Sequence, residues 1–359
     1  MPRIGVANLP LHSGKTPRWL FDSMVKLARE VTAAIIEEFG PAEMLTRLSD
    51  PCWFQAFGCV LGFDWHSSGV TTTVCGALKE AMKGHQRDLG LFITGGKGGT
   101  SRKTPDEIRL LSKKFSLSQL TDKLIYSSRI SAKVDNTALQ DGYRLYHHNF
   151  FFVKDGRWAV VQQGMNPCTG WARRYHWLSS SIKDIVCEPH SAIVCDRRRN
   201  TINLVAKESE TARDASANLA CEPPAAITRE MDKIKNLNLP QEHRLLLDSI
   251  KTKNLNKVLI STYERQPGDF EALLGISGVG PKTIRALALL SELIYNAKVS
   301  KRDPVSYSFA HGGKDGRPFP VDRVTYERSI EILNSAIRQS RLGFTEKKEA
   351  FKRLYSYWS

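Results

Sequence analysis

The residues with the most chemical capacity lie between Ser128 and Trp177. Asp135, Asp141 and His148 are carboxylate and imidazole groups spaced along one polar, aromatic stretch, and Gln163 follows on a segment that reads as a strand. Carboxylates suit Mg²⁺ or Mn²⁺, which keep several waters for a substrate phosphate. The expectation is a divalent-metal site with Asp135, Asp141 and His148 as ligands and Gln163 beside it. Asp64 and His66 alternate within Gly62–Thr72, so on an extended segment they share a face and form a second acid–base or metal pair. Arg173 and Arg174, next to Tyr175 and Trp177, would hold a nucleic-acid strand by charge and stacking. The run Gly95–Thr104 combines glycines, hydroxyls and the cations Lys97, Arg102 and Lys103 just before a helix, a composition suited to cradling phosphate. It lacks the GxxxxGK[ST] spacing of a Walker A loop.

A second kind of site is written in Leu273–Leu287. Gly278 and Gly280 allow a tight turn and close backbone approach to a ligand. Val279 is placed to plug the turn into an apolar interior. Pro281 suits the first position of a new helix, whose free N–H groups favour an anion. Lys282 and Thr283 add a charge and a hydroxyl. This run resembles the helix-hairpin-helix motif of DNA repair and replication proteins, matching Leu-x-x-(Leu/Ile)-x-Gly-Val-Gly-x-Lys-Thr at every position. The resemblance implies contact with a nucleic-acid backbone, without sequence reading and without a particular reaction. Among helix-hairpin-helix DNA glycosylases, a lysine at this place can be the lyase nucleophile and a Val-Asp segment can supply a catalytic aspartate. Lys282 and Asp322 are the matching residues here. The gap between them is wider than is usual in those enzymes, and the iron–sulfur cysteines that some of them carry are absent.

These residues need elements to hold them. Apolar residues from Trp19 to Ile36 recur at helical spacing, and residues 106–124 read as another helix. HHNFFFVKDGRWAVVQQGM reads as two strands around Lys154–Arg157, and SAIVCDRRRNTINLVA as a second hairpin turning near Arg199-Asn200. Residues 206–227, small and polar with a double proline, have linker composition. The expected architecture is an α+β domain over 1–205, a linker over 206–227, and an all-α helix-hairpin-helix domain over 228–359. A basic tail helix closes it.

The chain's 52 Lys and Arg against 37 Asp and Glu give a net charge of +15, which favours a polyanionic partner, DNA first. Its seven cysteines form no CxxC pair, which argues against a zinc ribbon or a disulfide framework. No apolar run approaches a membrane span and MPRIGVANLPLHSGK has no signal-peptide core, so the expected location is the cytoplasm.

Taken together, FDWHSSGVTT, GGKGGTSRKTP, AKVDNTALQDGYRLYHH, VVQQGM and ARRYHW resemble a prokaryotic family called domain of unknown function 763. The resemblance implies common ancestry and supplies no activity. The leading expectation is a metal-dependent DNA nuclease. A lyase using Lys282 and Asp322 is the alternative, and a binding protein with no chemistry is the third reading.

Overall fold

Helical spacing from Met24 to Ile36 becomes α1 (Arg18–Phe39), which buries Met24, Leu27, Val31 and Ile35 along one face. The computed structural model describes residues 16–63, 68–195, 200–235, 252–306 and 323–358. Helix α1 ends at Gly40, and the chain restarts as α2 (Pro41–Ser49) with proline in its first turn. Asp50 then caps α3 (Pro51–Val60), accepting from the backbone N–H groups of Cys52 and Trp53. Helix α4 (Gly69–Met82) and a short α5 (Gln86–Leu89) lead into strand β1 (Leu91–Lys97).

The middle of the chain alternates helix and sheet. Helices α6 (Gly99–Arg102), α7 (Thr104–Lys114) and α8 (Thr121–Lys133) are followed by a π-helical turn, Val134–Ala138. Strands β2 (Leu139–Gln140), β3 (Arg144–Val153), β4 (Trp158–Asn166), β5 (Trp171–Leu178), β6 (Ala192–Val194) and β7 (Ile202–Asn203) come next. The main sheet is antiparallel throughout, in the order β1-β3-β4-β5-β6. The hairpin around Lys154–Arg157 is present as β3–β4. The second expected hairpin is not: β6 extends the main sheet beside β5, while β7 pairs with β2. Strand β6 gains the edge of a five-stranded sheet, and β7 is held between β2 and a bridge from Asn203 to Ser300.

Period-two alternation divides the sheet's side chains between two cores. Phe92, Phe150, Phe152, Val160, Tyr175 and Trp177 face α8 and the helices that follow the sheet. Ile93, Phe151, Val153, Ala159 and Val161 face α1–α4.

The remaining helices are α9 (Glu210–Ala220), α10 (Pro224–Lys235), α11 (Thr252–Arg265), α12 (Phe270–Gly275), α13 (Pro281–Tyr295), α14 (Arg323–Gln339) and α15 (Phe344–Trp358). The linker expected at 206–227 is folded instead. Its alanines and serines are what a tight helix contact needs: Ala212, Ser216 and Ala217 are buried, and Ser216 meets Ser291 of α13 at 3.2 Å between hydroxyl oxygens. The two halves also share their cores. Leu273, Val279 and Leu287 belong to the same cluster as Phe150 and Trp177. Leu333, Ile337, Ala350 and Leu354 join α1–α4 on the opposite face. The tail helix α15 keeps Lys348 and Lys352 exposed while Ala350 and Leu354 pack inward. Among the described residues, no helix is long and apolar enough to cross a membrane.

Candidate nucleic-acid interface

Helix α12 is capped by Asp269, whose carboxylate accepts from the Ala272 N–H at 2.7 Å, and ends at Gly275. The chain turns through Gly278, at φ +90°, and restarts with Pro281 as α13. Val279 is 1% exposed and anchors the turn in the core, as its position between the glycines predicts. The turn is also held from below. Lys133, at the end of α8, donates to the carbonyl of Val279 and, at 3.5 Å, to that of Ile276. Gln140 donates to the Pro281 carbonyl at 2.9 Å and accepts from Arg285 Nε at 2.8 Å. Burial lowers the pKa of both Lys133 and Arg285 from their ordinary values.

Two cavities border this turn. The larger, about 1000 Å³, lies between the turn on one side and α6, α7 and α8 on the other. Arg102, Arg109, Arg129 and Lys133 line it, with Ser128, His147 and His148 on its floor. The second, about 920 Å³, carries Arg144, Lys282, Thr283 and Arg285. Asn136, Gly278, Gly280 and Pro281 line both. The first-turn N–H groups of α13 have no intrahelical partner, so its N-terminus adds positive potential beside these cations.

The glycine-rich run reaches the larger cavity in a different form from the expected loop. Gly95 and Gly96 are inside β1, and a Cβ at Gly95 would lie 2.1 Å from the His148 carbonyl oxygen. Glycine is required there because β1 and β3 approach too closely for any side chain. The Gly95 N–H donates to Glu107 at 2.7 Å, and Lys79 bridges the Gly95 carbonyl and the Glu107 carboxylate, so part of the supposed cradle is already filled by protein. Lys97, Arg102 and Lys103 remain exposed, and of these Arg102 lines the cavity.

The expected metal ligands are placed otherwise. Asp135 accepts from Gln162 Nε2, from Trp177 Nε1 at 2.9 Å and from His190 Nε2. Asp141 accepts from Arg173 Nη1 at 2.9 Å, from the Tyr175 hydroxyl at 2.6 Å and from the Tyr143 N–H at 3.0 Å. Burial raises the pKa of Asp141, against the pull of Arg173. His148 has both ring nitrogens engaged, by Ser128 at 2.9 Å and Gln162 at 2.7 Å. Asp141 sits in a hydrogen-bond set of its own, and Asp135 and His148 meet only through Gln162, so the three side chains do not converge on an ion. Among the described residues, no group of three or more His, Cys, Asp or Glu side chains is placed to hold a metal.

Arg173 and Arg174 are also reassigned, because both are fully buried. Arg173 bridges Asp141 and Asp303, and Arg174 donates to His176 Nε2 at 2.9 Å while lying 4.6 Å from the Phe54 ring centroid. Neither reaches a strand outside the protein. Gln163 is equally buried, bonded to Thr71, Tyr146 and the Ser68 carbonyl. Asp64, His66 and Asp322 lie outside the described residues.

Sequence reasoning passed over Ser128, Lys133, Gln162 and His190. Ser128 and Gln162 stand inside the polar stretches singled out for chemistry, but nothing local marks either above its neighbours. Lys133 stands in the same stretch, and only the fold brings it under the glycine turn.

No curated protein and no solved structure matches the chain. A family model described as a protein of unknown function, DUF763, matches residues 5–321, and the chain belongs to that family.

Proposed function

We propose that this protein binds the sugar–phosphate backbone of nucleic acid, DNA first, across the glycine turn between α12 and α13. The turn acts as a helix-hairpin-helix element in this reading. The observation that supports it is the convergence in space of two motifs far apart in sequence. The turn at Gly278–Pro281 and the basic segment containing Arg102 line one cavity, and Lys282 and Arg285 continue the cations on the far side of the turn. A strand laid over the turn meets cations on both sides and backbone N–H groups in the middle. Such contacts bind phosphate and do not read bases. The net charge of +15 adds long-range attraction of the same sign.

Fluorescence anisotropy with labelled duplex DNA, single-stranded DNA and RNA, measured over a range of salt concentrations, tests this. Binding should be insensitive to sequence and weaken steeply with salt. For a duplex, the slope of log K against log salt should be about −0.9 per phosphate contact. Lys282→Glu and Arg102→Glu should each flatten that slope by about one contact. Absence of binding at low salt, or variants with unchanged slopes, would overturn the reading.

A further inference from the structure

The metal reading left His148 unexplained, and its surroundings suggest different chemistry. Ser128 Oγ lies 2.9 Å from His148 Nε2, and His148 Nδ1 lies 2.7 Å from Gln162 Oε1. Gln162 Nε2 faces the Asp135 carboxylate and, at 3.2 Å, the Ser131 carbonyl. A backbone carbonyl only accepts, so the amide nitrogen of Gln162 must point at Ser131, and its oxygen therefore faces His148. That oxygen only accepts as well, so Nδ1 carries the proton and Nε2 presents a lone pair. The Ser128 hydroxyl must then donate to it. With the imidazole neutral, every bond in this chain has one direction. Asp135 closes the chain from the π-helical turn after α8, where Trp177 and His190 also hold it. π-Helical turns of this kind are frequent at functional sites.

Several other helical serines turn back onto their own helix. Ser216 donates to Ala212 at 2.6 Å, Ser291 to Leu287 at 2.7 Å and Ser23 to Trp19 at 2.9 Å. Ser128 is aimed across at a histidine instead. Both partners line the basic cavity, together with Arg102, Arg129, Lys133 and Gly280. A nucleophile within hydrogen-bond reach of a base, with the base oriented by a third group, is the arrangement that activates a hydroxyl. Burial lowers the pKa of His148 below its ordinary value, which keeps the imidazole neutral and able to accept a proton.

We propose that Ser128 is a nucleophile and His148 its general base, acting on a phosphodiester held in this cavity. The substrate class rests on the nucleic-acid reading above. Ser128 Oγ attacks phosphorus and its proton passes to His148 Nε2. The Oγ–P bond forms as one P–O bond to sugar breaks, and the departing sugar oxygen takes the proton from His148. The product is a phosphodiester joining Ser128 to one end of the strand. Water then attacks phosphorus, giving its proton to His148, and the Oγ–P bond breaks as Oγ takes that proton, restoring the serine and the neutral imidazole. Gln162 and Asp135 are positioning residues that fix the imidazole tautomer.

The test uses the full chain and a fluorophosphonate probe, a phosphorus electrophile carrying no nucleic acid. Intact-mass spectrometry and peptide mapping should find one adduct, on Ser128 of the wild-type protein. The labelling rate should fall as pH drops and His148 takes up a proton, and it should fall about 100-fold or more in His148→Gln. Ser128→Ala should not label. Mapping on the wild-type protein keeps the test valid if a variant folds poorly. Labelling at no site, or at other serines only, in a preparation that binds DNA would overturn the proposal and leave the binding reading intact. Labelling at Ser128 in a preparation that binds no nucleic acid would uphold the nucleophile and remove the phosphodiester as its substrate.

Discussion

Arg173 shows how a residue's surroundings decide what its chemistry is for. It is fully buried between Asp141 and Asp303, with Nη1 to Asp141 at 2.9 Å and Nη2 to Asp303 at 2.7 Å, and its guanidinium lies 4.6 Å from the Tyr143 ring centroid. Removing one partner of such a pair leaves charge without compensation in a dry interior. Asp141→Asn should therefore lower stability by about 3–5 kcal/mol, read as a fall in the urea midpoint at pH 7. A loss under 1 kcal/mol would show that Asp303 alone suffices. In the sequence, ARRYHW looked like a strand-binding surface because arginine and aromatic residues have the same composition in a binding groove and in a buried ion-pair layer. Sequence carries residue type and spacing, while exposure is a tertiary property. The same ambiguity sent Asp135 and Asp141 to a metal. Buried carboxylates look like ligands until their partners, here Gln162, Trp177 and His190 for Asp135, are in place.

Elements were more legible than sites where local signals agreed. The β3–β4 hairpin has a four-residue turn between two aromatic and β-branched runs, and Pro281 and the glycines bracket the α12–α13 turn as their backbone preferences require. The miss at α9 has a physical cause. Alanine and serine are small enough for linkers and also for helices that approach closely, and composition does not separate the two. Helix α9 packs Ala212 and Ser216 in the interior, Ser216 against Ser291 of α13. Ala212→Leu should overpack this contact and cost about 1–3 kcal/mol in a denaturant titration, whereas a linker residue would tolerate the change. Because α13 follows the glycine turn directly, nucleic-acid affinity of this variant should be measured in parallel. A loss there would show that α9 sets the position of the turn.

Across the whole molecule, the most pervasive electrostatic feature is a set of buried neutral histidines. Burial pushes His147 down to about 3, and lowers His148 and His176 as well. A histidine with a depressed folded pKa takes up its proton in the unfolded chain first. The unfolded state therefore binds more protons below about 6.5, the ordinary histidine value. Stability from these groups is fully present above that pH and declines as pH falls, toward about 3 in the case of His147. Urea midpoints between pH 7.5 and 5.5, above the carboxylate range, should drop steadily on acidification. Each buried histidine contributes up to ~1.4 kcal/mol per pH unit. His147, with neither ring nitrogen bonded, is the cleanest probe, and His147→Leu should remove about one proton from that slope. A slope unchanged by the substitution would place the proton uptake elsewhere.

The last helices of the chain complete the core of its first ones. Leu333, Ile337 and Leu354 close the apolar face built by Met24, Trp53 and Val74, on the side of the sheet opposite the proposed nucleophile. During synthesis, that face emerges from the ribosome long before its cover has been translated. The nascent chain cannot give that face its native cover until α14 and α15 have been synthesised. It also couples the molecule's two ends. A protein cut before α14 by a premature stop or a protease loses the support beneath α1 and α3, on the face of the sheet away from the proposed interface.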